Sequence, residues 1–168
     1  MKLLIIVDYQ NDFVNGSLGF PGAEMLDEKI AEIIPSYDAI IYTLDTHNEN
    51  YMETVEGRNL PVSHCIKGTK GHEVYGKTKE HLGDALAVFE KETFPSLDLA
   101  NYLYSHPFDE VDLCGLVSHI CVLSNAIMVK AALPNSKIAV LKNLTDSYDH
   151  SLQEKTFDIL RSIQIEVK

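Results

Sequence analysis

The chain is predicted to fold as an α/β protein, a three-layer α/β/α arrangement around a mostly parallel sheet of five or six strands. Short runs that are apolar throughout, such as "KLLIIVD" and "EVDLCGL", alternate along the chain with amphipathic stretches of helical period. Strands that are apolar on both faces are typical of parallel sheets covered by helices on each side. With 168 residues, 45% of them hydrophobic, we expect residues 1–168 to form a single domain with a sizeable core.

The predicted elements alternate in type from one end of the chain to the other. "GAEMLDEKIAEII" and "ICVLSNAIMVKAAL" have helical spacing and are ended by Pro35 and Pro134, and Ser96 is placed to cap the helix of "SLDLANYLYS". Residues 46–80 are polar and punctuated by glycine, so they predict a long loop without a regular core element, and such loops are often functional. The strands are expected at 2–8, 38–45, 84–91, 110–116, 137–145 and 164–168, and the helices at 22–34, 96–105, 120–133 and 151–163.

Charge and composition exclude several classes of protein. The formal net charge of −11 argues against a nucleic-acid or membrane partner, because both need a basic surface. Only five apolar residues, "LLIIV", precede Asp8 near the N-terminus, which is too short for a signal peptide, and no apolar run reaches transmembrane length. Three cysteines without a framework spacing indicate reduced thiols, so we expect a cytoplasmic protein.

Polar side chains fall where the predicted parallel strands end. Asp8 ends the first strand, Asp45 the second with His47 just after it, and Lys91 the third, while Cys121 follows the fourth strand at the start of a helix. Ligands of open α/β sheets bind beyond the carboxyl ends of the strands. An acid, a pair of metal-type ligands, a cation and a thiol at one edge therefore predict an active site.

These residue types suit acyl transfer through a thioester. Asp8 can take the proton of the Cys121 thiol and later return it to a leaving group. A helix N-terminus and the ammonium of Lys91 are both expected to favour the thiolate. The turn before Cys121 can direct backbone N–H groups at an oxyanion.

A second group of residues has the composition of a metal site. Asp45 and His47 lie two positions apart at a strand end, and His64 returns after the loop. Imidazole and carboxylate ligands suit one divalent ion, with zinc preferred and manganese or iron as alternatives. The candidates for a fourth ligand are Glu49, Glu53 and Glu56.

Each of these residues also has an ordinary structural interpretation. A lone Cys121 is most simply a packed core thiol, and Asp8 can cap the turn after the first strand. Lys91 lies in "EKE", a charge run typical of a solvated surface, and His47 and His64 can be loop histidines without a metal. Other residues are interpreted as core, loop-stabilising, surface or packing residues: Cys65, Cys114, Asp12, His72, His81, His106, His119 and His150.

Several motifs together resemble a known family. "IIVDYQNDFVNGSL", "TLDTH", "LPVSHCIKGTKG", "FEKETF" and "GLVSHICVL" are similar to the nicotinamidase/isochorismatase-like cysteine hydrolases, in particular to their metal-containing nicotinamidases, also called pyrazinamidases. The resemblance implies an isochorismatase-like, Rossmann-like sheet. It also implies hydrolysis of a small carboxamide, with nicotinamide converted to nicotinate and ammonia in NAD salvage, and a homo-oligomeric assembly.

The resemblance also assigns roles to individual residues. The backbone N–H groups of Val117 and Cys121 would form the oxyanion hole, with a cis peptide between Leu116 and Val117. Phe13 would line the substrate ring pocket and Gln10 would be its polar neighbour. The remaining assignments are Asp8, Lys91 and Cys121 as the catalytic triad and Asp45, His47, His64 and Glu56 as the metal ligands.

The chain departs from the family pattern at a few positions. Glu53 stands where many members have a fourth metal-binding histidine, and on loop pattern we prefer Glu56 to Glu53 as the ligand. Ser118 and His119 stand where the family has Thr-Asp, and His119 is near enough to Cys121 in sequence to be considered as a rival base. Two alternatives remain open, a cysteine hydrolase of ureido or carbamoyl amides and a non-catalytic metal-binding relative.

Overall fold

The first strand explains why the molecule is layered. The structure, a computed structural model, describes residues 1–168. Strand β1, Lys2–Val7, is fully apolar after its first residue, and successive side chains of a strand point to opposite faces of the sheet. Leu3 and Ile5 therefore enter one hydrophobic core, and Leu4 and Ile6 enter a second core on the other face.

Six parallel strands form one sheet in the order β3-β2-β1-β4-β5-β6. This confirms the predicted α/β class and a parallel sheet. After β1 the chain moves outward to β2 and β3, then returns to place β4 on the other side of β1. A crevice forms at such a reversal of strand order, beyond the carboxyl ends. The later strands are β2, Ala39–Asp45; β3, Ala87–Lys91; β4, Glu110–Leu116; β5, Lys137–Asp146; and β6, Glu166–Val167.

Five of the six α-helices pack on the two faces of the sheet. Leu103, Val129 and Leu160, from the fourth, fifth and sixth helices, pack in the core that contains Leu3, while Val14 and Ile30, from the first two, pack in the other. None of the helices is both long and apolar enough to cross a membrane. The helices are α1, Asn11–Val14; α2, Asp27–Ile33; α3, Val55–Asn59; α4, Leu97–Ser105; α5, Leu123–Ala132; and α6, His150–Ser162.

Two local differences from the predicted elements lie close to the functional end of the sheet. The loop between β2 and β3 contains the short helix α3, which begins where the Thr54 hydroxyl accepts a hydrogen bond from the Gly57 N–H at 2.9 Å. The helix predicted to start at Ile120 instead begins with a π-helical turn, Ser118–Val122, ahead of α5. Such wide turns are frequent at functional sites.

The strand register brings the predicted functional residues to one edge of the sheet. Val7 of β1 lies opposite both Thr43 of β2 and Gly115 of β4, and Asp45 lies opposite Lys91. Gly115 has a φ of +107°, and a Cβ there would lie 2.1 Å from the Val7 carbonyl oxygen. A side chain at this position would therefore push β4 away from β1 at the crevice.

Candidate active site

A buried lysine connects the acid and the thiol predicted from the sequence. The Lys91 Nζ atom lies 2.6 Å from Asp8 Oδ2 and 3.8 Å from the Cys121 Sγ. It also lies 3.4 Å from Asp45 Oδ1 and donates a hydrogen bond to the Thr93 carbonyl at 3.0 Å. The structure thus brings the three residues together, and Lys91, at 6% exposure, does not belong to a solvated charge run.

The turn after β1 holds the Asp8 carboxylate toward the lysine. Asp8 is fully buried, and its Oδ1 accepts a hydrogen bond from the Thr43 hydroxyl at 2.6 Å. Its backbone has a φ of +46°, a left-handed conformation that Asp tolerates better than most residues. This arrangement leaves Oδ2 toward Lys91.

The electrostatics of the site keep the proton on the thiol in the free protein. Burial raises the pKa of Cys121 well above its ordinary value, and the opposing effect of Lys91 is smaller. Burial lowers the pKa of Lys91, but the charges of Asp8, Cys121 and Asp45 raise it further, so the ammonium persists. Lys91 thus lowers the pKa of Cys121, as expected from the sequence, but burial raises that pKa by more.

Burial also raises the pKa of Asp8, against the lowering effects of Lys91 and the Thr43 hydrogen bond. A carboxyl group with a raised pKa is a better proton acceptor than an exposed aspartate. Asp8 is thus suited to remove the thiol proton when a substrate arrives, and to hold that proton until a leaving group takes it.

Polar side chains from several elements fix the turn that carries Cys121. The Ser118 hydroxyl is hydrogen-bonded to the Thr145 hydroxyl at 2.9 Å and accepts a bond from Gln153 Nε2 at 3.0 Å. The fully buried Asn125 donates to the Cys121 carbonyl at 2.9 Å and accepts from the Ser96 N–H at 2.9 Å. The nucleophile turn is therefore tied to both β5 and the start of α4.

The same turn borders a cavity of about 460 Å³. The peptide between Leu116 and Val117 is cis, as the family resemblance implied, and both Val117 and Cys121 line the cavity. Phe13 lines it as well, with its ring centroid 5.6 Å from that of His64. The walls are mostly apolar, which suits a small ring with a polar substituent directed at the thiol.

Four potential metal ligands converge on the other side of this cavity. One donor atom from each of Asp45, His47, Glu56 and His64 lies within 4.8 Å of every other. Asp45 Oδ2 is 3.1 Å from His47 Nε2 and 3.2 Å from His64 Nε2. The His64 Nδ1 faces the Val62 carbonyl at 2.8 Å, which leaves its Nε2 lone pair for a metal.

The helix α3 decides which glutamate joins this group. Glu56, in the first turn of α3, places Oε1 3.6 Å from His47 Nε2 and 3.7 Å from His64 Nε2. Glu53 lies before the helix and is exposed. A Cβ on Gly57 would lie 2.1 Å from the Tyr51 carbonyl oxygen, so glycine lets α3 pack closely against the preceding turn. The structure thus places Glu56 in the cluster and Glu53 outside it, and Glu49 is likewise exposed and outside.

Gln10 is placed differently from the expectation that it contacts substrate. It is fully buried and absent from the cavity lining. Its side-chain amide donates to the Asp45 carbonyl and accepts from the Asp45 N–H, both at 2.8 Å. The substrate-binding assignment of Gln10 is therefore not supported, and the residue instead holds the backbone of Asp45 beside β1.

Several residues of the site were not identified from the sequence. Thr43 holds Asp8, Asn125 holds the nucleophile turn, and Phe94 and Tyr148 line the cavity. The only sequence signal for Thr43 is its position two residues before Asp45 on β2, which places both side chains on one face. Phe94 is the last residue of "FEKETF" and Asn125 lies two residues after "GLVSHICVL", but neither position has a role that its residue type predicts, and Tyr148 lies outside every motif.

The chain was compared with known proteins. The isochorismatase domain family matches residues 2–167. The isochorismatase family protein PncA of Bacillus subtilis is 34% identical over 142 residues, which cover 75% of this chain and 76% of that protein. The structure of the pyrazinamidase/nicotinamidase of Streptococcus mutans superposes with a TM-score of 0.87 at 26% identity, with full coverage of both chains.

A second solved structure is similar to the same extent. The pyrazinamidase of Pyrococcus horikoshii, determined in complex with zinc, gives a TM-score of 0.85 at 25% identity and covers 99% of this chain and 98% of that chain. Both structures share the fold of this chain over nearly its full length. On these matches and on the parallel six-stranded fold, the chain belongs to the isochorismatase family.

Proposed function

We propose that this protein hydrolyses nicotinamide to nicotinate and ammonia through a thioester on Cys121, as a step of cytoplasmic NAD salvage. The proposal rests on one cavity, which joins the thiol of Cys121 to Asp45, Glu56 and His64 of the potential metal site. An aromatic ring in that cavity can face the metal ligands while its carboxamide faces the thiol. The relatives named as nicotinamidases or pyrazinamidases support the same substrate class.

In the first half of the proposed reaction, Asp8 removes the proton of the Cys121 thiol and the sulfur forms a bond to the carboxamide carbon. The carbonyl oxygen becomes an oxyanion, which the backbone N–H groups of Val117 and Cys121 stabilise. Asp8 then gives its proton to the amide nitrogen, the carbon–nitrogen bond breaks, and ammonia leaves. Lys91 stays protonated throughout and stabilises the negative charge shared between Asp8 and the sulfur.

In the second half, water replaces ammonia at the thioester. Asp8 takes a proton from the water while the water oxygen attacks the thioester carbon to form a tetrahedral intermediate. The collapse of that intermediate breaks the carbon–sulfur bond. The departing sulfur of Cys121 recovers the proton held by Asp8. The product acid ionises to nicotinate, and the free enzyme returns to its starting protonation state.

The four clustered side chains fit a divalent metal ion. Two imidazole nitrogens and two carboxylate oxygens are a donor set for zinc, manganese or iron, and we propose zinc. Asp45, His47, Glu56 and His64 would hold the ion, which would supply a Lewis acid for a nitrogen of the substrate ring. A second cavity of about 560 Å³ is lined by His47 and Glu56 and shares Leu60 and Phe94 with the first.

Replacement of the fourth ligand is expected to weaken metal binding. Glu56→Ala removes a carboxylate directed at His47 and His64, so the dissociation constant for Zn²⁺ should rise at least about tenfold. Glu53→Ala is the matched control, because the same residue type three positions earlier is exposed and outside the cluster. Equilibrium dialysis of both variants measures the difference, and equal affinity in the two would exclude Glu56 as a ligand.

The function is tested by assaying ammonia and nicotinate release from nicotinamide by the purified protein with added Zn²⁺, Mn²⁺ or Fe²⁺. Stoichiometric release of both products supports the proposal. A protein that binds zinc and releases ammonia only from a carbamoyl amide would instead be a cysteine hydrolase of the ureido type. Absence of turnover on both substrates would exclude an amidohydrolase of either kind.

A further inference from the structure

An aromatic side chain stands at the mouth of the substrate cavity. Tyr148, in the loop between β5 and α6, lines the cavity together with Cys121, yet it is 61% exposed. Its ring contacts the ring of Phe20, a second lining residue, edge to face, with centroids 6.1 Å apart and an interplanar angle of 76°. Tyr148 therefore belongs to the outer wall of the cavity. An exposed side chain on a loop keeps one orientation only where neighbouring side chains pack against it.

His119 supplies that support from the nucleophile turn. Its ring lies edge to face with the ring of Tyr148, with centroids 5.2 Å apart and an interplanar angle of 77°. Its Nδ1 lies 2.8 Å from the hydroxyl oxygen of Ser147, the residue before Tyr148. His119 thus contacts both the tyrosine ring and the backbone segment that carries it, and its Nδ1 bonds to Ser147 rather than serving as a rival base for the thiol.

The hydrogen bonds at Ser147 define the protonation of this histidine. The Ser147 hydroxyl donates its one hydrogen to the Asp149 carbonyl and accepts from the Asp149 N–H, at 3.1 and 2.9 Å. Its remaining lone pair can accept one more bond, so Nδ1 of His119 is the donor. Burial lowers the pKa of His119, more than Asp149 raises it, which keeps the imidazole neutral with its proton on that nitrogen.

We propose that Tyr148 is a specificity-determining residue for the aromatic ring of the substrate, and that His119 is the residue that positions it. This inference rests on the proposed function and deepens it. A ring bound between Phe13 and the cavity mouth would contact the face or edge of Tyr148, a contact that aromatic pairs favour. An aliphatic amide would gain less binding free energy from contact with Tyr148. His119 lies two residues before Cys121, so it fixes the distance between the outer wall and the nucleophile.

The test measures KM and kcat for nicotinamide in Tyr148→Ala, His119→Ala and the double variant. Loss of the ring contact should raise KM about two- to tenfold in Tyr148→Ala, while kcat stays within about twofold. His119→Ala should raise KM by a smaller factor, and it should add nothing once Tyr148 is absent, because it acts through that ring. A His119 effect that persists undiminished in the Tyr148→Ala background would overturn the positioning role.

Two further variants separate positioning from general stability. His119→Asn keeps an amide group able to reach Ser147 and should recover part of the KM loss. The matched control is His106→Ala, since His106 stacks on Tyr102 with centroids 4.4 Å apart, remote from the cavity, and its loss should leave KM unchanged. Equal shifts in KM for His106→Ala and His119→Ala would show that the rise in KM comes from reduced stability and not from the position of Tyr148.

Direct binding separates failure of this inference from failure of the function. Calorimetry of nicotinamide with the zinc-loaded Cys121→Ala protein reports affinity without turnover, and Tyr148→Ala in that background should weaken it by the same factor as KM. If the unmodified protein hydrolyses nicotinamide and Tyr148→Ala changes neither KM nor affinity, only this inference is wrong. If nicotinamide is neither hydrolysed nor bound, the proposed function and this inference are both wrong.

Discussion

Cys121→Ala is expected to lower kcat for nicotinamide hydrolysis by about 10⁴-fold or more, the scale seen when a covalent nucleophile is removed from a hydrolase. The remaining groups cannot replace the sulfur, because Asp8 is ion-paired with Lys91 and His119 is hydrogen-bonded through Nδ1 to Ser147. The fold should be retained, since the substitution only removes one sulfur atom at the edge of a cavity.

Cys114→Ala is the matched control for this experiment. Cys114 is fully buried in β4 and belongs to the core on the opposite face of the sheet from the one that contains Cys121. Its truncation should cost about 1 kcal/mol of stability through lost packing and leave kcat per folded molecule unchanged. The assay compares kcat after correction for the folded fraction by circular dichroism. Activity above about a tenth of the unmodified level in Cys121→Ala would exclude the thioester route.

Much of the fold follows from local patterns that act over a few residues. The run "EVDLCGL" predicts β4 with its observed bounds, Glu110–Leu116, because a short and mostly apolar run is typical of a strand in a covered parallel sheet. The helix α3 was not predicted, since Val55 is the one strongly apolar residue among its five and no apolar period can be read from it. It depends on the Thr54 cap and on the close packing that Gly57 allows.

The site was predictable to the extent that strand ends collect at one edge. Asp45 and Lys91 end parallel strands and Asp8 directly follows one, so topology alone brings them close. The pKa of Cys121 was not predictable in the same way, because the helix position favours a thiolate while the burial that opposes it depends on the whole fold. The chemical roles of these residues stay predictions that the variants described here test.

Lys91→Met is expected to destabilise the protein by about 3–5 kcal/mol and to abolish activity. Lys91 is the cation between the buried carboxylates of Asp8 and Asp45. Its removal leaves the Asp8 charge without compensation in a low-dielectric interior, while Asp45 keeps its contacts with His47 and His64. Lys137→Met is the matched control, because Lys137 pairs with Glu110 at 3.1 Å on the surface, and such exposed pairs contribute less than about 1 kcal/mol. Urea denaturation in EDTA measures both changes without a contribution from bound metal.

The pH dependence of this loss identifies the group responsible. Without Lys91, the pKa of Asp8 in the folded state rises further above its unfolded value of about 3.9, since burial raises it and the opposing cation is gone. A carboxyl group with a raised folded-state pKa binds more protons when the protein is folded. It therefore lowers the free energy of unfolding by a larger amount as the pH rises above the unfolded-state pKa. The difference in the free energy of unfolding between Lys91→Met and the unmodified protein should therefore shrink as the pH is lowered from 8 to 5.

A second substitution separates the charge from the packing of the lysine stem. Asp8→Asn in the Lys91→Met background removes the uncompensated carboxylate and keeps an oxygen that can accept the Thr43 hydrogen bond. It should restore about 1–3 kcal/mol while leaving the enzyme inactive, because the proton acceptor is also gone. If the double variant is no more stable than Lys91→Met at pH 8, the loss comes from packing, and the ion pair does not explain why a lysine is buried at this edge of the sheet.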